Sequence, residues 1–420
     1  MSLSVFLKEH KNKEKVSFHM PGHKGRRIFD MHGMKEEIDS LVDGDVTEIP
    51  GADNLFIHDG VIKEIMDGYK RIYHSCETFL SVGGSSAGIL AAILATVSRD
   101  AEVIVPRNCH RAVFNAISLA GAKPHMVYPE IIDEFNIAGE VKASKIADAL
   151  DEECEGQARR VVVITSPNYY GITCDVNAVA REVHARGGIL ILDQAHGAHL
   201  MSLYPKLSGD MSEERPDIVI ESTHKTMASF TQTAIVNIYN ESLVDLVEKK
   251  LRIVESTSPS YILMKSLELN VRLVEEFGEK LFLSWRDDLD FFYGKAKEIP
   301  GLRLLDIPTK DRSKIVIDAE SIGLAAEALD CALMERGIFS EFTSGNLLVC
   351  MSGIGNVRGD YELLLDALEN ACEDAETIME KYAYLADRSV ITDRYGEERR
   401  LAEGESCPLP APGEIITVWS

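Results

Sequence analysis

Residues 217–225 read Asp-Ile-Val-Ile-Glu-Ser-Thr-His-Lys, a short apolar run that ends in Ser222, His224 and Lys225. Lysine side chains are rarely buried, so a lysine at the mouth of a buried strand is an unusual placement. Beside a hydroxyl and an imidazole, Lys225 is a candidate for a lysine that forms a Schiff base. An ordinary loop lysine is the competing interpretation, and a second strand earlier in the chain argues against it.

The second strand is predicted at Gly188-Ile-Leu-Ile-Leu192, and Asp193-Gln-Ala-His-Gly-Ala-His199 follows it at once. Parallel sheets present their chemistry at the carboxyl ends of their strands, so Asp193 and Lys225 are expected at one edge. A carboxylate and a lysine so placed suit pyridoxal phosphate, because the lysine binds the aldehyde and the carboxylate keeps the pyridine nitrogen protonated. A metal site formed by Asp193 and the two histidines is the weaker interpretation, because His-x-x-His spacing places ligands poorly on a helix.

A phosphate site is predicted between Thr78-Phe-Leu-Ser-Val82, which has the composition of a strand, and the apolar helical stretch 89–97. The connecting residues read Gly83-Gly-Ser-Ser-Ala-Gly88. Glycines let the backbone turn tightly, and the free N–H groups at the start of the next helix point at an anion. Ser85 or Ser86 is predicted to cap this helix and to donate to phosphate oxygens.

These elements, in this order, resemble the Orn/Lys/Arg decarboxylases, which are pyridoxal-phosphate enzymes of fold type I, the aspartate-aminotransferase fold. The resemblance covers nearly the whole chain, and its most specific part combines Ser-x-His-Lys with Asp-x-Ala-His-Gly upstream. The other matching stretches are His19-Met-Pro-Gly-His-Lys-Gly25, Asp45-Val-Thr-Glu48, Asp53-Asn-Leu55, Pro106-Arg-Asn-Cys-His-Arg111, Ser166-Pro-Asn-Tyr-Tyr-Gly171, Thr231-Gln-Thr-Ala234 and Ser256-Thr-Ser-Pro-Ser-Tyr-Ile-Leu-Met264. The resemblance implies an α/β fold, with a mostly parallel sheet in a large domain and a smaller α+β C-terminal domain.

The resemblance also assigns roles to individual residues. Lys225 is expected to be the Schiff-base lysine, Asp193 the partner of the pyridine nitrogen, and His110 the residue that stacks on the cofactor ring. His196 is expected to orient Asp193 or to contact the cofactor hydroxyl. The residues expected to hold the phosphate end of the cofactor are Ser85, Ser86, Ala87, Ser222 and His224. Thr231 is expected to reach the phosphate of a neighbouring subunit, since family active sites form at the interface of a homodimer or higher homo-oligomer.

Three stretches depart from the family pattern. Gln194 stands where the family usually has glutamate, Gly83 and Ile89 stand where it has asparagine, and Asn168 stands where threonine is common. None of these changes removes the lysine, the aspartate or the stacking histidine, so cofactor binding is expected to survive. The departures bear instead on the substrate and on the level of activity.

The predicted reaction is loss of carbon dioxide from lysine, ornithine or arginine, which yields an amine of the kind used in polyamine biosynthesis. Such a substrate needs an acidic group for its distal cation, and the candidates are Glu48, Asp53 and Glu341. Two alternatives stay open. One is another pyridoxal-phosphate reaction on an amino acid, by a lyase, an aldolase or an aminotransferase, and Arg358 is a candidate partner for the α-carboxylate in any of these reactions. The other is a non-catalytic protein that binds the cofactor or an amino acid and regulates a partner.

The composition fits an enzyme of this type. The 420 residues are 45% hydrophobic, enough for a large core, and 68 acidic against 44 basic residues give a net charge of −24. That charge argues against nucleic-acid binding, which requires basic patches. No apolar run reaches membrane-spanning length, the first residues lack the pattern of a signal peptide, and the eight cysteines form no Cys-x-x-Cys pair. Together these features predict a cytoplasmic protein with reduced thiols.

The domain organisation follows from the hydrophobic pattern. Apolar runs at 102–106, 160–165, 189–192 and 218–220 alternate with helical stretches, which indicates parallel strands with crossover helices. Two further runs, at 314–318 and 347–351, are predicted to be strands of the smaller C-terminal domain. The predicted divisions are an N-terminal segment at 1–50, a cofactor-binding large domain with connecting helices at 51–297, and a small domain at 298–420. Because the His19 motif comes so early, the chain resembles the short form of the family, without an N-terminal wing domain. The proline-rich stretch 407–414 is expected to run extended.

Overall fold

A computed structural model describes residues 2–153, 160–209 and 213–382, together with two short strands at 390–392 and 398–400. The α-helices are α1 (Leu3–Lys13), α2 (Arg27–Met31), α3 (Lys35–Asp39), α4 (Val61–Tyr73), α5 (Gly84–Thr96), α6 (Arg111–Ala120), α7 (Ala143–Glu153), α8 (Val176–Ala185), α9 (Leu200–Leu203), α10 (Pro205–Ser208), α11 (Thr223–Thr226), α12 (Val244–Val254), α13 (Tyr261–Ala296), α14 (Ala326–Glu335), α15 (Arg358–Glu373) and α16 (Ala375–Lys381). The strands are β1 (Val16–Ser17), β2 (Glu77–Ser81), β3 (Glu102–Pro106), β4 (Lys123–Val127), β5 (Ile131–Ile132), β6 (Ile137–Ala138), β7 (Val161–Thr165), β8 (Ile189–Asp193), β9 (Ile218–Glu221), β10 (Ala234–Ile238), β11 (Arg303–Leu304), β12 (Lys314–Asp318), β13 (Ile338–Phe339), β14 (Phe342–Ser344), β15 (Leu347–Met351), β16 (Val390–Thr392) and β17 (Glu398–Arg400).

A seven-stranded sheet with the strand order β2-β10-β9-β8-β7-β3-β4 forms the centre of the molecule. The pairs from β9 to β4 are parallel, and β10 runs antiparallel to both of its neighbours. Strands β8, β9 and β10 are buried along their whole length, as expected for a sheet covered by helices on both faces. The predictions of an α/β fold and of a mostly parallel sheet are confirmed.

A second sheet, with the order β11-β12-β15-β14, is antiparallel and lies in the C-terminal part of the chain. Its two central strands are the predicted runs at 314–318 and 347–351. The N-terminal segment joins this part of the molecule, because β1 pairs in parallel with β13. Helix α13, the predicted connector, packs against both α4 and α15. The domain boundaries themselves stay a prediction.

The register of the central sheet brings the two candidate site strands together. Asp193, the last residue of β8, lies opposite Ile220 of β9, so the two strands end at nearly the same level. The short helix α11 follows β9 after Ser222 and contains Lys225. The sequence prediction that Asp193 and Lys225 share one edge of the sheet is therefore confirmed.

The predicted serine cap of helix α5 is wrong. The helix begins at Gly84 with Gly83 at the N-cap position, and no side chain caps it. Ser85 and Ser86 lie one step further on, in the first turn, and the preceding Gly84 has a positive φ of 76°, a conformation that favours glycine. Their backbone N–H groups belong to the first turn, whose donors have no partner within the helix.

A buried network of charged and polar side chains connects the two sheets below the site. His199 lies 3.1 Å from Asp311 Oδ2 through its Nε2, and Asp311 also accepts hydrogen bonds from the backbone and side chain of Ser313. Lys314, fully buried, lies 3.6 Å from the same carboxylate and 3.3 Å from the carbonyl oxygen of His196. The network therefore fixes the loop after β8 against the C-terminal sheet.

Two predictions concern the ends and the surroundings of the chain. The proline-rich stretch at 407–414 lies outside the described residues. Of the helices that the structure describes, none combines the length and the apolar character needed to cross a bilayer.

Candidate active site

Lys225 is half-buried at the carboxyl edge of the sheet, in contact with His196. Its Nζ lies 2.8 Å from His196 Nε2. Burial lowers the pKa of Lys225 to about 8, although the negative charge of Asp193 opposes the shift. Burial also lowers the pKa of His196 well below its usual value, so its imidazole is neutral and Nε2 accepts the hydrogen bond. Lys225 is thus a lysine with an unusually large neutral fraction near neutral pH.

Asp193 and His110 complete the predicted trio. Asp193 is 2% exposed, and its Oδ1 accepts a hydrogen bond from the backbone N–H of Ala195 at 3.1 Å. Burial raises its pKa, whereas the nearby positive charge of Lys225 opposes the rise. His110 is the N-cap of α6, and its Nδ1 accepts from the backbone N–H of Ala112 at 3.2 Å. Burial lowers the pKa of His110, and Asp193 opposes that shift, so the structure brings all three side chains into one electrostatic environment.

The predicted phosphate ligands lie around the start of α5 and the end of β9. Gly88 holds these elements together, since a Cβ at this position would lie 2.8 Å from Val236 Cγ2 and 3.1 Å from Ile220 Cγ2. Ser222 is fully buried, and its hydroxyl has no hydrogen-bond partner among the described residues. His224 donates from Nδ1 to the carbonyl oxygen of Thr233 at 2.8 Å, and burial lowers its pKa to about 4.

Two unsatisfied polar groups fit the presence of a ligand here. Buried polar atoms in proteins are nearly always hydrogen-bonded, so each exception needs an explanation. Within the described residues, Ser222 Oγ and His196 Nδ1 are both buried without a partner. They flank Lys225 along the two strand ends, where the resemblance predicts the cofactor. The donor set therefore fits a phosphorylated ring compound.

The remaining predicted contacts are placed as follows. Ser85 is half-buried, Ser86 is exposed and Ala87 is buried in the first turn of α5. Thr231 and Gln232 form an exposed turn, and the carbonyl oxygen of Gln232 would lie 3.6 Å from a Cβ at Gly84. The turn thus lies beside the phosphate loop of its own chain, and the predicted contact of Thr231 with a neighbouring subunit stays a prediction.

Glu255 is a site residue that sequence reasoning missed. It accepts hydrogen bonds from the Ser81 hydroxyl and, at 3.3 Å, from the backbone N–H of Gly83. Burial raises its pKa, which favours the neutral acid beside the predicted phosphate. Gly83 is constrained by this arrangement, because a Cβ there would lie 3.1 Å from Glu255 Oε2 and 2.8 Å from Ala87 Cβ. The contacts with Glu255 and Ala87 therefore explain why glycine stands at position 83, where the family usually has asparagine.

Gln194, which stands where the family usually has glutamate, also forms specific contacts. Gln194 Nε2 donates to the carbonyl oxygen of Gly197 at 3.1 Å and lies 3.3 Å from Glu221 Oε1. Glu221 is buried, accepts from Asn237 at 2.8 Å, and has a pKa raised far above its usual value by burial. A glutamate at 194 would place two carboxyl groups side by side, whereas the amide supplies a donor. The feature of the sequence that could have indicated this contact is Glu221, the residue directly before Ser222.

Asn168, which stands where threonine is common in the family, stabilises a turn. Its Oδ1 accepts from the backbone N–H groups of Tyr170 and Ile172, and its Nδ2 donates to the carbonyl oxygen of Ala138 at 2.8 Å. The neighbouring Tyr169 packs against His196, with ring centroids 4.7 Å apart. Asn168 thereby positions the tyrosine that covers one side of His196.

The three acidic candidates for a substrate's distal cation differ in their surroundings. Asp53 is occupied, because its carboxylate accepts backbone N–H groups around the start of α4, from residues 54, 59, 60, 62 and 63. Glu48 is exposed. Glu341 accepts from the backbone N–H of Met20 at 2.8 Å, and its charge acts on Lys225, whose pKa it raises. Of the three, Glu341 is the one whose field reaches the site lysine.

Two other candidates are engaged elsewhere. Arg358, the candidate partner for the α-carboxylate, donates to Asp288 at 2.6 Å and lies over the ring of Phe291. His199, considered as a metal ligand, is bonded to Thr226 at 3.0 Å in addition to Asp311. Both side chains hold helices and loops together in this arrangement.

The fold and the site together define a class of protein. A half-buried lysine and a buried aspartate at the carboxyl edge of this mostly parallel sheet are the arrangement of a fold type I pyridoxal-phosphate enzyme. The family described as Orn/Lys/Arg decarboxylase, major domain, matches residues 2–287. The chain belongs to the Orn/Lys/Arg decarboxylases, and the predictions of this family, of pyridoxal phosphate as the cofactor and of an amino-acid decarboxylase are confirmed.

Known proteins resemble the chain at different levels. The uncharacterised protein YaaO of Bacillus subtilis (strain 168) is 33% identical over 362 residues, which cover 84% of this chain and 74% of YaaO. An arginine decarboxylase of the same strain is 27% identical, over 98% of this chain and 90% of the relative. The structure of lysine decarboxylase A from Pseudomonas aeruginosa superposes with a TM-score of 0.71 at 20% identity, over 89% of this chain. At that identity the likeness shows the fold alone, and the chain spans 60% of that enzyme's length.

The lowered pKa of Lys225 predicts the pH dependence of cofactor binding. Only the neutral amine attacks the cofactor aldehyde, so the rate at which the apoprotein reacts with pyridoxal phosphate should fall about tenfold per pH unit below pH 8 and level off above it. Stopped-flow absorbance measures this rate. Because Asp193 raises the pKa of Lys225, Asp193→Asn should move the inflection to lower pH. A rate that keeps rising to about pH 10, as for an ordinary exposed lysine, would contradict the prediction.

Proposed function

We propose that the protein decarboxylates a basic amino acid, with arginine as the first candidate, and that Lys225 carries the cofactor. The observation that carries the proposal is the pair of the half-buried Lys225 and the buried Asp193 at adjacent strand ends, where desolvation lowers the pKa of the lysine to about 8. Arginine comes first because a relative that covers 98% of the chain and is covered over 90% of its own length is an arginine decarboxylase.

The residues of the site divide the binding of the cofactor among them. Ser222, with its unpartnered hydroxyl, and the first turn of α5 would hold the phosphate. His110 would lie on one face of the ring, and Asp193 would accept a hydrogen bond from the protonated ring nitrogen and so keep it protonated. When bound, pyridoxal phosphate supplies an electron sink for the electron pair that departing carbon dioxide leaves behind.

Lys225 and His196 would handle protons. The neutral His196 accepts at Nε2, so it holds the Lys225 amine in place without adding a charge. Lys225, when it is not bound to the cofactor, would be a candidate to hold a proton and return it to the substrate. Asp193, His196 and Ser222 are buried, which limits the access of bulk water to this side of the site.

Glu341 would pair with the distal cation of the substrate. It is the candidate carboxylate whose charge acts on Lys225, Lys24 and Lys314 from the C-terminal part of the chain. A cationic side chain would therefore be attracted into the space between the two parts of the molecule. We further infer a homodimer in which the turn of Thr231 contributes to the partner's site, and its exposed position supports this inference.

Carbon dioxide release tests the proposed reaction. Arginine, lysine and ornithine are supplied separately to the protein with added pyridoxal phosphate, and release is expected with one of them, arginine first. Lys225→Ala should remove both the cofactor colour and the release, while Lys206→Ala, at an exposed lysine, should leave both unchanged. If the protein is yellow but releases no carbon dioxide from any of the three, the reaction is one of the other pyridoxal-phosphate reactions.

A charge-removing substitution tests Glu341. Glu341→Gln keeps an oxygen that accepts from Met20 but removes the charge, so KM for the basic substrate should rise about 10- to 100-fold with a smaller change in kcat. Steady-state kinetics measure both constants. Glu48→Gln, at an exposed candidate, is the matched control and should leave KM unchanged. Equal effects of the two substitutions would remove Glu341 from the substrate site.

A further inference from the structure

The N-terminal segment contains a cluster of two histidines and one glutamate outside the active site. His10 lies in the last turn of α1, Glu14 directly follows that helix, and His19 follows β1. Glu14 Oε2 lies 3.1 Å from His10 Nε2 and 2.8 Å from His19 Nε2. The three ligating atoms lie within 4.8 Å of one another. Ligands that each lie about 2 Å from one tetrahedral zinc ion are separated by similar distances.

The hydrogen bonds of His19 show why a cation suits this cluster. His19 Nδ1 lies 2.6 Å from the carbonyl oxygen of Met20, which can only accept, so Nδ1 carries a hydrogen. In the neutral ring, Nε2 then presents its lone pair to Glu14 Oε2, which is also an acceptor. Two acceptors 2.8 Å apart need either a proton or a metal ion between them. A backbone carbonyl on the far nitrogen is the usual outer contact of a metal-binding histidine.

Packing holds both imidazole rings in the converging orientation. Phe339 lies edge-on to His10, with ring centroids 4.7 Å apart, and edge-on to His19 at 6.3 Å. All three ligand side chains are between 25% and 29% exposed, so an ion has access from solvent. The cluster is therefore ordered by its neighbours and open on one side.

We propose that His10, Glu14 and His19 bind one zinc-class divalent ion. Two imidazole nitrogens and one carboxylate oxygen suit zinc or cobalt, whereas magnesium and calcium prefer oxygen ligands alone. Such an ion would stabilise the position of α1, in which every residue is exposed except the half-buried His10. It would fasten α1 to the loop at His19, and this loop continues to Gly22, which donates to the carbonyl oxygen of His224 next to Lys225.

Zinc titration of the full chain with its cofactor tests this site. After removal of metals with a chelator, Zn²⁺ alone is added in a calorimeter, and one ion per chain is expected, with no binding of Mg²⁺. Glu14→Gln and His10→Gln should each weaken the affinity by at least about 100-fold. The matched controls are Glu9→Gln, an exposed glutamate on the same helix, and His32→Gln, whose Nδ1 also bonds a backbone carbonyl. Both controls should bind zinc as the unaltered chain does.

A thermal measurement provides a second readout. Zinc should raise the melting temperature of the unaltered chain and of both controls, but not that of Glu14→Gln. Absence of stoichiometric binding would overturn the proposal and leave a proton between His19 and Glu14. Binding that survives in both Glu14→Gln and His10→Gln would overturn it as well, because the ion would then lie at other side chains.

Discussion

The close backbone contact at Gly22 is the constraint on which the active site depends. Gly22 donates to the carbonyl oxygen of His224 at 2.8 Å, Ile354 donates to that of Thr226 at 2.9 Å, and Gly355 donates to that of Gly22 at 3.0 Å. A Cβ at Gly22 would lie 2.6 Å from the carbonyl oxygen of Met227, so only glycine fits between these segments. The short helix that contains Lys225 is thereby held by main-chain hydrogen bonds from Gly22 in the N-terminal segment and from Ile354 after β15.

This constraint fixes the backbone around Lys225, and desolvation of the side chain lowers the pKa of its amine to about 8. Among the described residues, Lys310 and Lys314 are buried and Lys24 is half-buried, and their partners differ from that of Lys225. Lys24 donates to the carbonyl oxygens of His19 and Met351, Lys310 to the hydroxyl of Tyr293 and to backbone carbonyls, and Lys314 lies beside Asp311. Lys225 instead contacts the neutral imidazole of His196, with Asp193 nearby. His196 therefore holds the Lys225 amine in place without a direct ion pair. This suits a lysine that must release the cofactor and bind it again.

Much of the fold could be predicted from the sequence, because local signals and the tertiary structure agree. The apolar runs that became β8 and β9 each end in polar residues, and that pattern placed Asp193 and Lys225 at one edge. The start of α5 was predicted wrongly, because Gly83 takes the N-cap position and both serines lie inside the first turn, where neither can cap the helix. Composition indicated the glycine turn but not its dihedral angles.

The site residues that the sequence did not reveal were missed for a different reason. Glu221 and Glu255 have partners that are distant in sequence, at Asn237, Gln194 and Ser81, and no periodicity reveals such pairs. The same holds for the contact of Lys314 with the carbonyl oxygen of His196. Buried polar pairs across strands are set by topology, so a single sequence shows the residue types but not which of them meet.

The most direct test of the account is to identify the lysine that binds the cofactor. Borohydride reduction of the protein with bound pyridoxal phosphate fixes the cofactor covalently to its lysine, and peptide mass spectrometry then locates the label. The account predicts a phosphopyridoxyl group on Lys225. A label on Lys24, Lys310 or Lys314 instead, or no label on any lysine of a protein that binds the cofactor, would contradict it.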